Sequence, residues 1–69
     1  MEREAVGSSN IATIGYDVDS ETLEIEFLRG GVYQYFDVPE QVYEDIMSAD
    51  SAGKYLNANV KGIYRYSKI

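Results

Sequence analysis

Two hydrophobic periods, met in a fixed order, constrain this chain more than any other feature. From Thr22 to Phe27 it reads Thr-Leu-Glu-Ile-Glu-Phe, a strict alternation that puts Leu23, Ile25 and Phe27 on one face of a strand and Thr22, Glu24 and Glu26 on the other. After Pro39 the apolar residues Val42, Tyr43, Ile46 and Met47 recur at helical spacing, with Glu44 and Asp45 outside the stripe. The period changes once, so strands come first and helices follow. That order predicts an α+β domain.

Around the alternating run, Ile11 to Tyr16 is β-branched and apolar enough for a preceding strand, and Asp17 to Glu21 is a polar turn. Gly30-Gly31 tolerates positive φ and closes a hairpin to a third strand over about Val32 to Val38. A two-residue turn would pair Arg29 with Val32 and place Tyr33 and Tyr35 on the side opposite Ile25 and Phe27. A three-residue loop, Arg29-Gly30-Gly31, would pair Leu28 with Val32, turn both tyrosines toward Phe27 and Ile25, and set Glu26 opposite Gln34. The second is preferred: it buries more apolar surface and avoids facing Glu24 with Asp37.

Pro39 suits the first position of a helix, and Glu40 follows in the first turn, where the dipole favours an anion. Asp50 or Ser51 can cap a second short helix through about Asn57 that buries Ala52, Tyr55 and Leu56, with Gly53 allowing close packing. Ile63 to Tyr66 alternates weakly and reads as an extended tail whose pairing is left open. The expected architecture is a three-stranded antiparallel meander packed against two short C-terminal helices, forming one domain over residues 1–69.

With 69 residues the core is small, and the absence of cysteine and histidine removes disulfides, thiolates and imidazole ligands. No cofactor and no metal site is expected. Asp17-Val18-Asp19-Ser20-Glu21 resembles the start of a calcium loop, but Thr22 and Leu28 stand where glycine and a bidentate glutamate are required. Ser8 and Ser9 have no histidine to act as base. The pairs Glu24 with Glu26 and Glu44 with Asp45 fall on faces predicted to be wet, and "RGGVY" lacks the spacing and lysine of a phosphate cradle. These absences argue against an enzyme and against a small-molecule substrate.

No run approaches a membrane span, and Met-Glu-Arg-Glu lacks the layout of a signal peptide, so a cytoplasmic location is expected. Net charge is −6, but residues 1–50 carry twelve acids against Arg3 and Arg29. Residues 51–69 carry no acid and four bases, Lys54, Lys61, Arg65 and Lys68. A duplex binder is usually basic overall; here only the tail is. Tyr33, Tyr35, Tyr64 and Tyr66, with Lys61, Arg65 and Lys68, form the candidate nucleic-acid surface, since exposed aromatics edged by cations stack single-stranded bases. Burial in the core is the competing role for Tyr33 and Tyr35.

The ordered set "SSNIATIGYD", "LEIEF", "GGVYQYFDVPEQVY" and "ADSAGKYLNANVKGIYRY" resembles the KTSC domain, found at the C-terminus of some lysyl-tRNA synthetases and as a stand-alone small bacterial protein. The resemblance runs from about Val6 to Tyr66. It rests on Tyr33-Gln34-Tyr35, then Val38-Pro39, then the series Ala49, Ser51, Gly53, Tyr55 and Asn57; Leu56 stands where phenylalanine is common. The resemblance implies at most RNA binding, by association with a tRNA-handling enzyme. Two other classes stay open: a protein-interaction adaptor using a sheet edge or tyrosine patch, and a phage or mobile-element accessory whose acidity mimics nucleic acid.

Overall fold

The computed structural model describes all residues, Met1 to Ile69. Five strands, β1 (Arg3–Ala5), β2 (Ile11–Asp17), β3 (Thr22–Phe27), β4 (Gly31–Tyr35) and β5 (Tyr66–Lys68), form one sheet in the order β1-β2-β3-β4-β5, each antiparallel to its neighbour. Helices α1 (Glu40–Ser48) and α2 (Ala52–Asn59) fall between β4 and β5. The α+β class and the three central strands match the sequence reading; the strand count does not. Edge strand β1 was not anticipated, because its three exposed residues carry no alternation to read. The extended tail expected over Ile63 to Tyr66 does pair with the sheet, but only from Tyr66 to Lys68, since Ile63 is still in the turn that follows α2.

In β2, Ile11 and Ile14 are both fully buried, although a spacing of three would send them to opposite faces of a regular strand. A bulge between Ile11 and Thr13 resolves the conflict by shifting the register, so that Ile11 pairs with Phe27 and Ile14 with Ile25. Gly15 is buried under β1: a Cβ there would lie 2.6 Å from the Glu2 carbonyl oxygen and 2.6 Å from Arg3 Cγ. Only glycine allows β1 to approach so closely.

The β3–β4 hairpin corrects the expected pairing. Its turn is Leu28-Arg29-Gly30, and Phe27 pairs with Gly31, Ile25 with Tyr33, Glu24 with Gln34 and Leu23 with Tyr35. This is two residues away from the preferred register, so the tyrosines keep the anticipated face but gain different partners. The reason lies at Gly31, which takes φ +80° at the exit of the turn. Strand β4 also stops at Tyr35, short of the expected Val38, because Asp37 turns the backbone left-handed at φ +58°.

Pro39 caps α1 from outside, with an extended ψ of 148°, and Glu40 is the first helical residue. The Ser51 side chain accepts from the Lys54 amide and caps α2, which extends to Asn59. Ile46, Leu56, Val38 and Val60 close over Ile11, Ile14, Leu23, Ile25 and Tyr35, with Val42, Tyr43, Met47 and Tyr55 packed around them. The anticipated interior of strands and α1 is therefore present. No helix is long and apolar enough to cross a membrane.

Candidate functional site

The helices leave one end of the inner sheet face open. Directly opposed residues of antiparallel strands share a face. Tyr66 therefore lies beside its partner Tyr35, and Lys68 beside Tyr33, on the side that also carries Ile25 and Phe27. What results is a groove of about 640 Å³, lined by Asn10, Phe27, Arg29, Tyr33, Tyr35, Lys61 and Tyr66 with two glycines.

Its floor is a chain of rings. Phe27 meets Tyr33 edge-on at 5.5 Å between centroids, Tyr33 meets Tyr66 at 5.7 Å, and Tyr66 meets Tyr35 at 5.8 Å. All are within the range at which aromatic pairs attract. Tyr35 is 3% exposed and Tyr66 61%, with Tyr33 half-buried between them. Burial first, then the neighbouring Tyr33 and Tyr66, push the Tyr35 hydroxyl above its ordinary pKa, so it remains a neutral donor at neutral pH.

Its rim is cationic. The Lys61 ammonium stands 5.1 Å from the Phe27 centroid and that of Lys68 5.9 Å from the Tyr33 centroid. No carboxylate lines the groove. The acids of the sheet project elsewhere: Glu24 and Glu26, on the outer face, engage Arg3 at 3.2 and 3.9 Å, while Gln34 and Thr13 donate to the same carboxylates at 3.0 Å each. Arg65 pairs with Asp37 at 2.6 Å. Of the six bases, then, Arg29, Lys54, Lys61 and Lys68 have no carboxylate partner, and three of these four stand at the groove.

Of the residues singled out from sequence, Tyr33, Tyr35, Tyr66, Lys61 and Lys68 come together here. Tyr64 and Arg65 do not. Tyr64 is half-buried against the core, and Arg65 lies 5.7 Å over the Phe36 ring while holding Asp37. The Arg65 carbonyl accepts from the Phe36 amide as well, so Arg65 fastens β5 to the end of β4. Phe27, Arg29 and Asn10 were missed. Phe27 was legible in principle, since the alternation already placed it beside the tyrosines; Arg29 was visible only as a base in a turn. Asn10 carried no signal, because its position depends on the β2 bulge.

Asn10 also ties the groove to α2. Its Oδ1 accepts from the Ser8 hydroxyl at 3.0 Å, and a Cβ on Gly53 would lie 2.5 Å from that oxygen. Gly53 thus lets α2 settle against the loop before β2, and Lys61 and Gly62 follow at the end of that helix. Gly62, at φ +79°, turns the chain back toward β5.

Comparison with known proteins places this architecture in context. The family model described as the KTSC domain matches residues 7–66. The crystal structure of a KTSC domain protein from Yersinia pestis superposes with a TM-score of 0.97 at 44% identity, covering 99% of this chain and 96% of that one. An uncharacterised protein of Stutzerimonas stutzeri is 40% identical over 100% of this chain and 99% of its own length. A lysine–tRNA ligase of Nostoc punctiforme is 39% identical over 88% of this chain, a segment that is only 11% of the ligase.

Proposed function

The chain belongs to the KTSC domain family, and from that membership we propose that it is a non-enzymatic cytoplasmic module of a bacterium that binds single-stranded RNA in the groove between Phe27, Tyr33 and Tyr66. The observation that carries this reading is the meeting of an aromatic floor with Arg29, Lys61 and Lys68 where no carboxylate intrudes. Unpaired bases stack on such rings, and the cations meet the phosphates. A duplex keeps its bases stacked inside and offers a concave aromatic surface little to hold. The net charge of −6 works against long-range attraction, so affinity is expected to be weak and local. Lysine–tRNA ligases that carry a similar segment give the reading a second, independent support.

The test is a fluorescence anisotropy titration of the domain into a labelled single-stranded RNA. With three phosphate contacts the salt slope is about −2, and affinity falls roughly 20-fold between 50 and 200 mM salt. Binding that ignores salt, or that prefers duplex, counts against the reading. A protein-interaction adaptor is the second reading, favoured by the three-residue edge strand β5 with Ile63 and Ile69 exposed beside it. It expects a peptide to add to β5 with little salt dependence.

A further inference from the structure

In the free domain the aromatic floor is already occupied in part. Lys61 covers Phe27 and Lys68 covers Tyr33, and neither ammonium has a carboxylate partner to draw it away. The stem of Lys68 runs past Gly31 so closely that a Cβ there would sit 3.1 Å from its Cε, so glycine at this position also makes room for the lysine. Tyr66, 61% exposed, carries no cation over its ring, and neither does Tyr35, which at 3% exposed is closed to a ligand.

We propose that the groove selects a nucleobase carrying its own phosphate over a bare aromatic, and that Lys61 and Lys68 are the specificity-determining residues. The inference rests on the RNA reading above. A base can land on Tyr66 unopposed, but to reach Phe27 or Tyr33 it must displace an ammonium from the ring face. A bare nucleoside offers that ammonium nothing in return. A nucleotide within a strand offers a phosphate oxygen, and a charge-assisted hydrogen bond replaces the lost cation–π contact. The same two lysines thus oppose uncharged aromatic ligands and favour phosphorylated ones.

The experiment compares oligouridylate with uridine on the wild-type domain and on Lys61→Ala and Lys68→Ala, both at exposed positions that leave the core intact. With the ammoniums 5.1 and 5.9 Å from the ring centroids, ring currents are expected to hold the lysine ε-methylene resonances upfield in the free domain, and saturation with oligouridylate to return them to ordinary positions. Each alanine variant is expected to bind uridine roughly two- to fivefold more tightly, and oligouridylate more weakly with a salt slope shallower by about 0.7. Lysine resonances that stay put while Tyr66 reports bound oligouridylate, or variants that weaken both ligands alike, overturn the inference and leave RNA binding standing. No response of Tyr66 to oligouridylate overturns the RNA reading, and this inference with it.

Discussion

Gln34 stands directly opposite Glu24 across the β3–β4 hairpin and donates its side-chain amide to the Glu24 carboxylate at 3.0 Å. That pair lies on the outer face, which fixes Tyr33 and Tyr35, its neighbours in β4, on the inner one. The orientation of the groove floor therefore follows from a polar contact on the far side of the sheet. Glu24 also meets Arg3, so side chains from β1, β3 and β4 share one carboxylate.

Tyr35 and Tyr66 touch each other but are expected to behave oppositely when truncated. Tyr35→Ala removes a ring that is 3% exposed and should destabilise by about 3 to 5 kcal/mol, much of what a domain this small has. Tyr66→Ala removes a ring that is 61% exposed and should cost less than about 1 kcal/mol. Urea unfolding of both variants checks this; equal losses would mean that β5 is part of the core.

Gly15→Ala tests the edge strand that sequence did not reveal. The new methyl would meet the Glu2 carbonyl at 2.6 Å, a backbone atom that cannot swing aside, so β1 must shift and the Arg3 contact with Glu24 is lost. We expect about 1 to 3 kcal/mol of destabilisation and fast amide exchange confined to β1. A neutral substitution would show that β1 is not seated on β2 as described.

Those cases also show which parts of the fold were legible. Leu23, Ile25 and Phe27 announced their face because burial on one side of a strand forces a period of two, and Val42, Ile46 and Met47 announced α1 for the equivalent helical reason. Edge strand β1 stayed hidden, and β5 was legible only as an extended tail placed a few residues early, because exposed residues on both answer to hydrogen bonding with a neighbour and not to any pattern of their own. The hairpin was read two residues out of register because either glycine could supply the positive φ, and only Gly31 does. For the groove, the tyrosines and two lysines were legible as residue types. Their convergence required β5 to pair with β4, and the same pairing directs Arg65 to Asp37 and away from the rings.

Alkaline pH should loosen the domain. Burial raises the pKa of Tyr16, Tyr35, Tyr43 and Tyr55, with smaller contributions from nearby acids such as Glu21 at Tyr16 and Asp45 at Tyr55. A tyrosine held protonated by the fold contributes stability that is complete below its unfolded pKa of about 10 and is lost as pH rises through the higher folded value. Thermal unfolding midpoints should therefore be flat through neutral pH and fall above about pH 10. A midpoint insensitive to that range would contradict the burial of these rings.

Entry of single-stranded RNA into the groove walled by Phe27, Tyr33 and Tyr66 can be read residue by residue in an NMR titration of the isotopically labelled domain with oligouridylate at low salt. Shifts are expected to be confined to Phe27, Arg29, Tyr33, Lys61, Tyr66 and Lys68 and reversed by added salt, with Arg3 and the outer carboxylates Glu24 and Glu26 unmoved. Shifts centred on the outer face, or none at concentrations where the aromatic floor should be filled, would contradict it.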